Sequence, residues 1–229
     1  GEHTPFFPIK QVSVVAGRQK PSLESLLLFD TDFGELIMIE RQTGQLIWRQ
    51  PLRTEEGDME SMYGAPVVHD GLIYAATESN SLYKLALDSG RVLSKLTFTQ
   101  PISATPMLTV DRKKLILAGN KALFYTVTLS PKMTCESATY IGHRLGTIVA
   151  PLRSIGKLML VCENDKNDSC KLRILNSTPK GTWLAELTPT DDPVRVEGSV
   201  DEMPVLRNNK LFVTSSGERI TVFSVTDDD

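Results

Sequence analysis

The stretch Gly71-Leu-Ile-Tyr-Ala-Ala-Thr-Glu-Ser-Asn-Ser-Leu-Tyr-Lys-Leu-Ala-Leu-Asp-Ser-Gly90 holds two apolar runs, 72–78 and 81–87, around a small polar turn. Runs this short, bounded by Gly, Asn, Asp and Ser, read as the two strands of a β-hairpin. Four further segments repeat the pattern: 26–32 with 35–41, 115–121 with 122–129, 158–164 with 170–176, and 211–217 with 219–225. Their leading residues Leu26, Leu72, Leu115, Leu158 and Leu211 fall 46, 43, 43 and 53 residues apart. A β unit recurring every ~40–50 residues is the signature of a propeller blade, which takes four antiparallel strands.

Two more strands complete the unit. Pro66, Pro106, Pro151 and Pro204 stand six to nine residues before their leading Leu. A residue without an N–H cannot donate to a ladder, so each Pro marks the start of an innermost strand. On the far side, Thr43-Gly44 and Ser89-Gly90 supply turns whose Gly takes φ > 0, each leading into a fourth strand. The runs alternate or are β-branched, and breakers follow every ten residues or so, which excludes a helical fold. The continuous runs 72–76 and 158–162 fit strands covered on both faces, as in a blade held between neighbours. The chain therefore reads as all-β, a β-propeller of four-stranded antiparallel blades in a single domain 1–229. Five blades are expected, at about 11–52, 64–99, 104–145, 149–188 and 202–225. A two-sheet sandwich also uses short strands but does not repeat one four-strand unit.

With 229 residues, 41% of them hydrophobic, the chain buries a sizeable core without needing a metal or a disulfide. Twenty-five basic residues face 28 acidic ones, and no block of like charge is longer than Asp227-Asp228-Asp229, so a nucleic-acid partner is not expected. The longest apolar run, 26–29, is far below the ~20 residues that cross a bilayer, and no direct membrane insertion is expected. The chain starts at Gly1, the kind of residue that tag removal leaves, and it shows no signal-peptide core.

The stretch 71–90, together with Gly34-Glu-Leu-Ile-Met-Ile-Glu-Arg-Gln-Thr-Gly-Gln-Leu-Ile-Trp48, resembles the repeat of the pyrroloquinoline-quinone-type propellers. The likeness is good in the first two blades, partial in the fourth and fifth and weak in the third. It implies that Trp48 docks one blade onto the next. The equivalent positions are Ser94 and Ala185, and Trp183 falls two residues early, so most of that tryptophan girdle is missing. The resemblance implies two activities: quinoprotein dehydrogenation, and non-catalytic service in protein assembly, as in a bacterial outer-membrane assembly lipoprotein. Fold alone does not choose between them. The fifth blade ends at Val225 after its third strand, and segment 5–10 is expected to supply the fourth and close a five-bladed ring. The rival is an arc of a larger propeller.

A quinone dehydrogenase needs stacking aromatics, a divalent cation and a carboxylate base. Two Trp, no adjacent Cys pair and no recurring Glu/Asn/Asp constellation argue against it, and no cofactor is expected. His3, His69 and His143 lie in no recognisable nucleophile setting and read as terminal, turn and packed or solvated residues. Cys162 and Cys170 bracket a loop centred on Lys166, and a symmetric hairpin would face them across the strands at a disulfide-compatible distance. The alternative is two reduced, half-buried thiols; Cys135 has no partner in either case. Asp165, Asn167 and Ser169 alternate as oxygen ligands do, but Cys170 and Asn176 stand where a calcium loop needs Gly and Glu, so a solvated tip without metal is expected. The sequons at Asn167 and Asn176 matter only in a eukaryotic secretory setting.

Loops on a rigid scaffold are where partners dock. In 55–63, acids interleave with Met59, Met62 and Tyr63, and these three are the expected contact surface. The sequence thus points to a non-catalytic scaffold holding a protein or peptide partner, exported to the periplasm or cell envelope rather than cytoplasmic. The alternative is a divergent quinoprotein-like enzyme, or a small-ligand domain, at the channel mouth.

Overall fold

Residues 25–31, 34–166, 168–176, 184–187 and 193–225 are described by the structure, a computed structural model. Their regular structure is antiparallel β-sheet, with no α-helix among the described residues. The chain divides into two compact units, Gly1–Pro101 and Ile102–Asp229. The first holds a sheet of β1 (Leu26–Asp30), β2 (Glu35–Glu40) and β3 (Leu46–Pro51), then one of β4 (Val67–His69), β5 (Leu72–Ala76), β6 (Ser81–Ala86) and β7 (Val92–Thr97). The second opens with β8 (Met107–Leu108), β9 (Lys114–Ala118), β10 (Leu123–Thr128) and β11 (Thr134–Tyr140). Next come β12 (Arg153–Ile155), β13 (Leu158–Asp165), β14 (Ser169–Asn176), β15 (Ala185–Glu186) and β16 (Arg195–Glu197), and then β17 (Val205–Arg207), β18 (Lys210–Ser215) and β19 (Arg219–Ser224). The expected strand at 11–16, the closing segment 5–10 and Trp183 lie outside the described residues.

Local chemistry sets these boundaries. Pro66, Pro106 and Pro204 stand immediately before β4, β8 and β17, where a missing donor costs no ladder bond. Asp70 and Gly71, at φ 48° and 71°, join β4 to β5; Asn208 and Asn209, at 50° and 56°, join β17 to β18. Two central residues at positive φ make the turn whose twist matches paired strands, and Asp, Asn and Gly tolerate it best. A bulge recurs where the last two strands of each of the first three sheets pair, at Met38/Ile39, Lys84/Leu85 and Thr126/Val127.

Within each unit, neighbouring sheets bury their faces against each other. Leu28, Leu36, Met38 and Trp48 of the first sheet meet Ile73, Ala75, Tyr83 and Leu85 of the second. In the other unit, Met107, Ile116 and Phe124 meet Met159, Val161 and Leu175, while Leu160, Cys162, Cys170 and Leu172 meet Leu211 and Val213. The fourth sheet therefore has both faces covered.

That sheet also departs from a simple four-strand unit. β15 pairs the base of β14 at Leu175 and Asn176, and β16 returns to pair its tip, Lys171 against Arg195 and Ser169 against Glu197. The longer step from Leu158 to Leu211 is chain spent on this second visit.

Candidate functional site

The hairpin of β13 and β14 turns one face inward and the other to a cleft. Its ladder pairs Cys162 with Leu172 and Asn164 with Cys170 on the inward face. Asn164 there donates to the Val200 carbonyl at 3.1 Å and accepts from the Val200 N–H at 2.8 Å, tying the hairpin to the chain that enters the next sheet. The opposite face pairs Val161 with Arg173, Glu163 with Lys171 and Asp165 with Ser169. Through β16 the middle pair extends into one row across three strands, Glu163, Lys171 and Arg195.

This row, with Arg144, Asp165 and Arg173, lines an open cavity of about 360 Å³ to which Ile141 and Gly142 also contribute. Arg173 is its buried floor, donating to Glu163 Oε2 at 3.1 Å and to the Ile141 carbonyl at 2.7 Å. At the rim, Asp165 lies 2.5 Å from Arg144 and 3.7 Å from Arg195. The Arg144 hydrogen bond and charge hold the Asp165 carboxyl below the usual carboxylate range. Asp165 turns its oxygens to these guanidinium groups, and Asn167 lies outside the described residues. The local signal for the cleft is the period-two alternation of charged and uncharged residues on either side of the turn, whereas no local pattern joins Arg144 and Arg195 to it.

The expected contact loop divides between inside and outside. Isolated bridges pair Arg53 with Met59 and Met62 with Thr77, so alternate residues point to opposite sides. Glu60 and Met62 turn inward, and Met62 joins the core of the first unit; Met59 stays exposed and Tyr63 half-buried. Met62 is thus corrected from contact surface to core. Glu60 accepts hydrogen bonds from Ser79 Oγ at 2.6 Å, Ser81 Oγ at 3.0 Å, Lys95 Nζ at 3.0 Å and the Tyr83 hydroxyl. Lys95 Nζ also stands 4.8 Å from the Tyr83 ring centre. Trp48 is buried and donates from Nε1 to the Leu87 carbonyl of the neighbouring sheet at 2.9 Å.

The facing arrangement on which the expected disulfide rests is absent. The hairpin is centred on residue 167 rather than 166, so Cys162 and Cys170 sit diagonally and stand as buried thiols. Hydrogen bonding to Cys170, with burial, pushes the Cys162 thiol far above its ordinary value. Alkylation of the native protein is expected to modify exposed Cys135 first and the other two only on unfolding. Labelling followed by intact mass distinguishes this from a bridged pair, which would take no label after unfolding without reductant. His143 is buried: one ring nitrogen lies 2.8 Å from the Gly119 carbonyl and the ring stands edge-on to Phe124, while burial lowers its basicity. His69 pairs with Asp70 in the turn at 3.1 Å; His3 lies outside the described residues.

Antiparallel units of three to five strands, bearing on one another through apolar faces, define this protein as a β-propeller of pyrroloquinoline-quinone-type repeats. The chain belongs to the family described as outer membrane protein assembly factor BamB, whose model matches residues 10–130. No curated protein matches the sequence. Among solved structures, BamB from Moraxella catarrhalis superposes with a TM-score of 0.61 at 14% identity, over 87% of this chain and 58% of that one. The computationally designed Ika8 protein gives 0.62 at 9% identity over 88% and 56%; the designed Ika4 protein gives 0.54 at 10% over 77% and 99%. The chain thus spans little more than half the length of the first two.

Proposed function

We propose that this chain is a non-catalytic propeller scaffold that holds a protein partner during outer membrane protein assembly in the cell envelope. The family match over residues 10–130 carries this reading. The structure supports it with an arrangement suited to recognition, in which stacked sheets form a rigid support and charged or exposed side chains stand at loops and strand tips.

The test places a photoreactive amino acid at Met59, Tyr63 or Leu145 of the full-length protein in its own cells, followed by irradiation and fractionation. The expected outcome is a discrete adduct with an envelope protein from at least one position, in the outer-membrane fraction. Recovery from the cytosol, with no adduct from any of the three, overturns the reading.

A further inference from the structure

We infer that the cleft at the tip of β13 and β14 docks an acidic segment of a partner protein. Its carboxylates would lie against Arg144 and Arg195, and its apolar side chains against Leu145 and Val194. This rests on the scaffold reading and names the chemistry of the partner.

Charge is the first argument. Among the described residues, four cations and two carboxylates line the cavity, a surplus of two positive charges in a chain whose net charge is −3. Arg173 is already spoken for on the floor by Glu163 and the Ile141 carbonyl, so the surplus lies at the rim. There the single carboxylate of Asp165 stands between two guanidinium groups whose side chains are 59% and 47% exposed. Each guanidinium carries five donors in a planar fork, and one shared carboxylate, with the Ser169 hydroxyl that accepts from Arg195, leaves donors over on both. Arg is also the more weakly hydrated cation, so an incoming carboxylate displaces its water at modest cost. Asp165 acts as an internal stand-in that holds both forks in place.

The second argument separates a protein segment from a small anion or a nucleic acid. Leu145 is 66% and Val194 44% exposed, and each is the chain neighbour of a cleft arginine. A small dianion has no use for them, whereas a protein segment with apolar side chains beside its acids covers both. Glu163 and Asp165 inside the cavity, with the negative charge of the whole chain, oppose a phosphate backbone.

The test is fluorescence anisotropy of the full chain with a labelled peptide alternating leucine and glutamate, beside its glutamine counterpart and inorganic phosphate as competitor. Saturable binding is expected, weakened about tenfold or more in the glutamine peptide and in the Arg144→Ala/Arg195→Ala double variant, and weakened again by added salt. The thermal midpoint of the double variant should stay close to that of the parent, because both side chains are largely in solvent. Asp165→Asn should tighten binding several-fold by removing the competing carboxylate, an effect that a purely structural ion pair does not produce. No saturable binding, equal binding by the double variant, or displacement by phosphate at the same concentration as by peptide each overturns the proposal. Adducts from Met59 or Tyr63 with none from Leu145 would leave the scaffold reading standing and remove the cleft from it.

Discussion

Trp48→Ala is expected to destabilise the first compact unit by about 3–5 kcal/mol, the range for truncating a buried aromatic side chain. The indole packs among Met38, Leu85 and Leu87 in the core that the first two sheets share, and its Nε1 hydrogen bond to the Leu87 carbonyl would be lost with it. Its ring also lies directly over Gly90. A β-carbon there would stand 2.5 Å from Cε3 and 2.7 Å from Cδ2 of Trp48, and Gly90 holds φ at +68°. Gly90→Ala should therefore cost about 2–4 kcal/mol, combining overpacking with an unfavourable left-handed backbone. In the Trp48→Ala background the overlap has gone, and the same change should cost only the backbone share, about 1–2 kcal/mol. Urea unfolding of the four proteins measures this coupling. Equal cost of Gly90→Ala in both backgrounds would sink the contact.

Glu60→Ala comes next, with an expected loss of about 2–4 kcal/mol, because the side chain is buried and four donors converge on it. The change leaves Lys95 and the Tyr83 hydroxyl with the Arg53 carbonyl alone, takes an acceptor from two serine hydroxyls, and removes the side-chain tie of the 55–62 loop to the second sheet while the backbone bridge of Met62 to Thr77 remains. Glu60→Gln keeps part of the hydrogen bonding and should cost less. The pH dependence carries a clearer signature. Burial alone would raise the Glu60 carboxyl, but hydrogen bonds from Ser79, Tyr83, Lys95 and Ser81 outweigh it and hold the group below its ordinary value. The unfolded chain then takes up a proton that the folded chain refuses. The contribution is therefore complete above the ordinary carboxylate range and is lost as pH falls through the depressed folded value. Tyr83 is displaced the other way: burial first, then the hydrogen bond and charge of Glu60, push its phenol well above the usual value. Its contribution is complete below about pH 10, where an unfolded tyrosine begins to ionise, and is lost as pH rises beyond it. Urea midpoints across both pH ranges should fall less steeply in Glu60→Gln than in the parent. Superimposable profiles would show that the network does not govern either flank.

What the sequence made legible follows from range. The hairpins, their Pro-marked starts and the Asp70-Gly71 turn are written within ten residues of themselves, in period-two alternation and in the backbone tolerance of particular side chains. The blade fold follows from repeating them, and the likeness to BamB of Moraxella catarrhalis agrees with it. The sidedness of 55–63 was not legible, because no regular alternation surrounds Met62 and its direction depends on a single bridge to Thr77. The relation of Cys162 to Cys170 turned on one residue, since moving the turn centre from 166 to 167 changes a facing pair into a diagonal one. The cleft draws on 141–144, on the hairpin and on Arg195, and only the return of β16 to the tip of β14 unites them.

Two kinds of demand meet on the β13–β14 hairpin. Alternate residues answer to different judges: Cys162, Leu172 and Cys170 to the demands of close packing, Lys171 and Asp165 to the open cleft. An exchange of Lys171 or Asp165 leaves the inner row untouched, whereas Glu163 is tied to buried Arg173, so the rim is free to vary where the floor is not. Propellers with 14% identity in sequence are thus able to keep a common frame while each tip acquires its own taste.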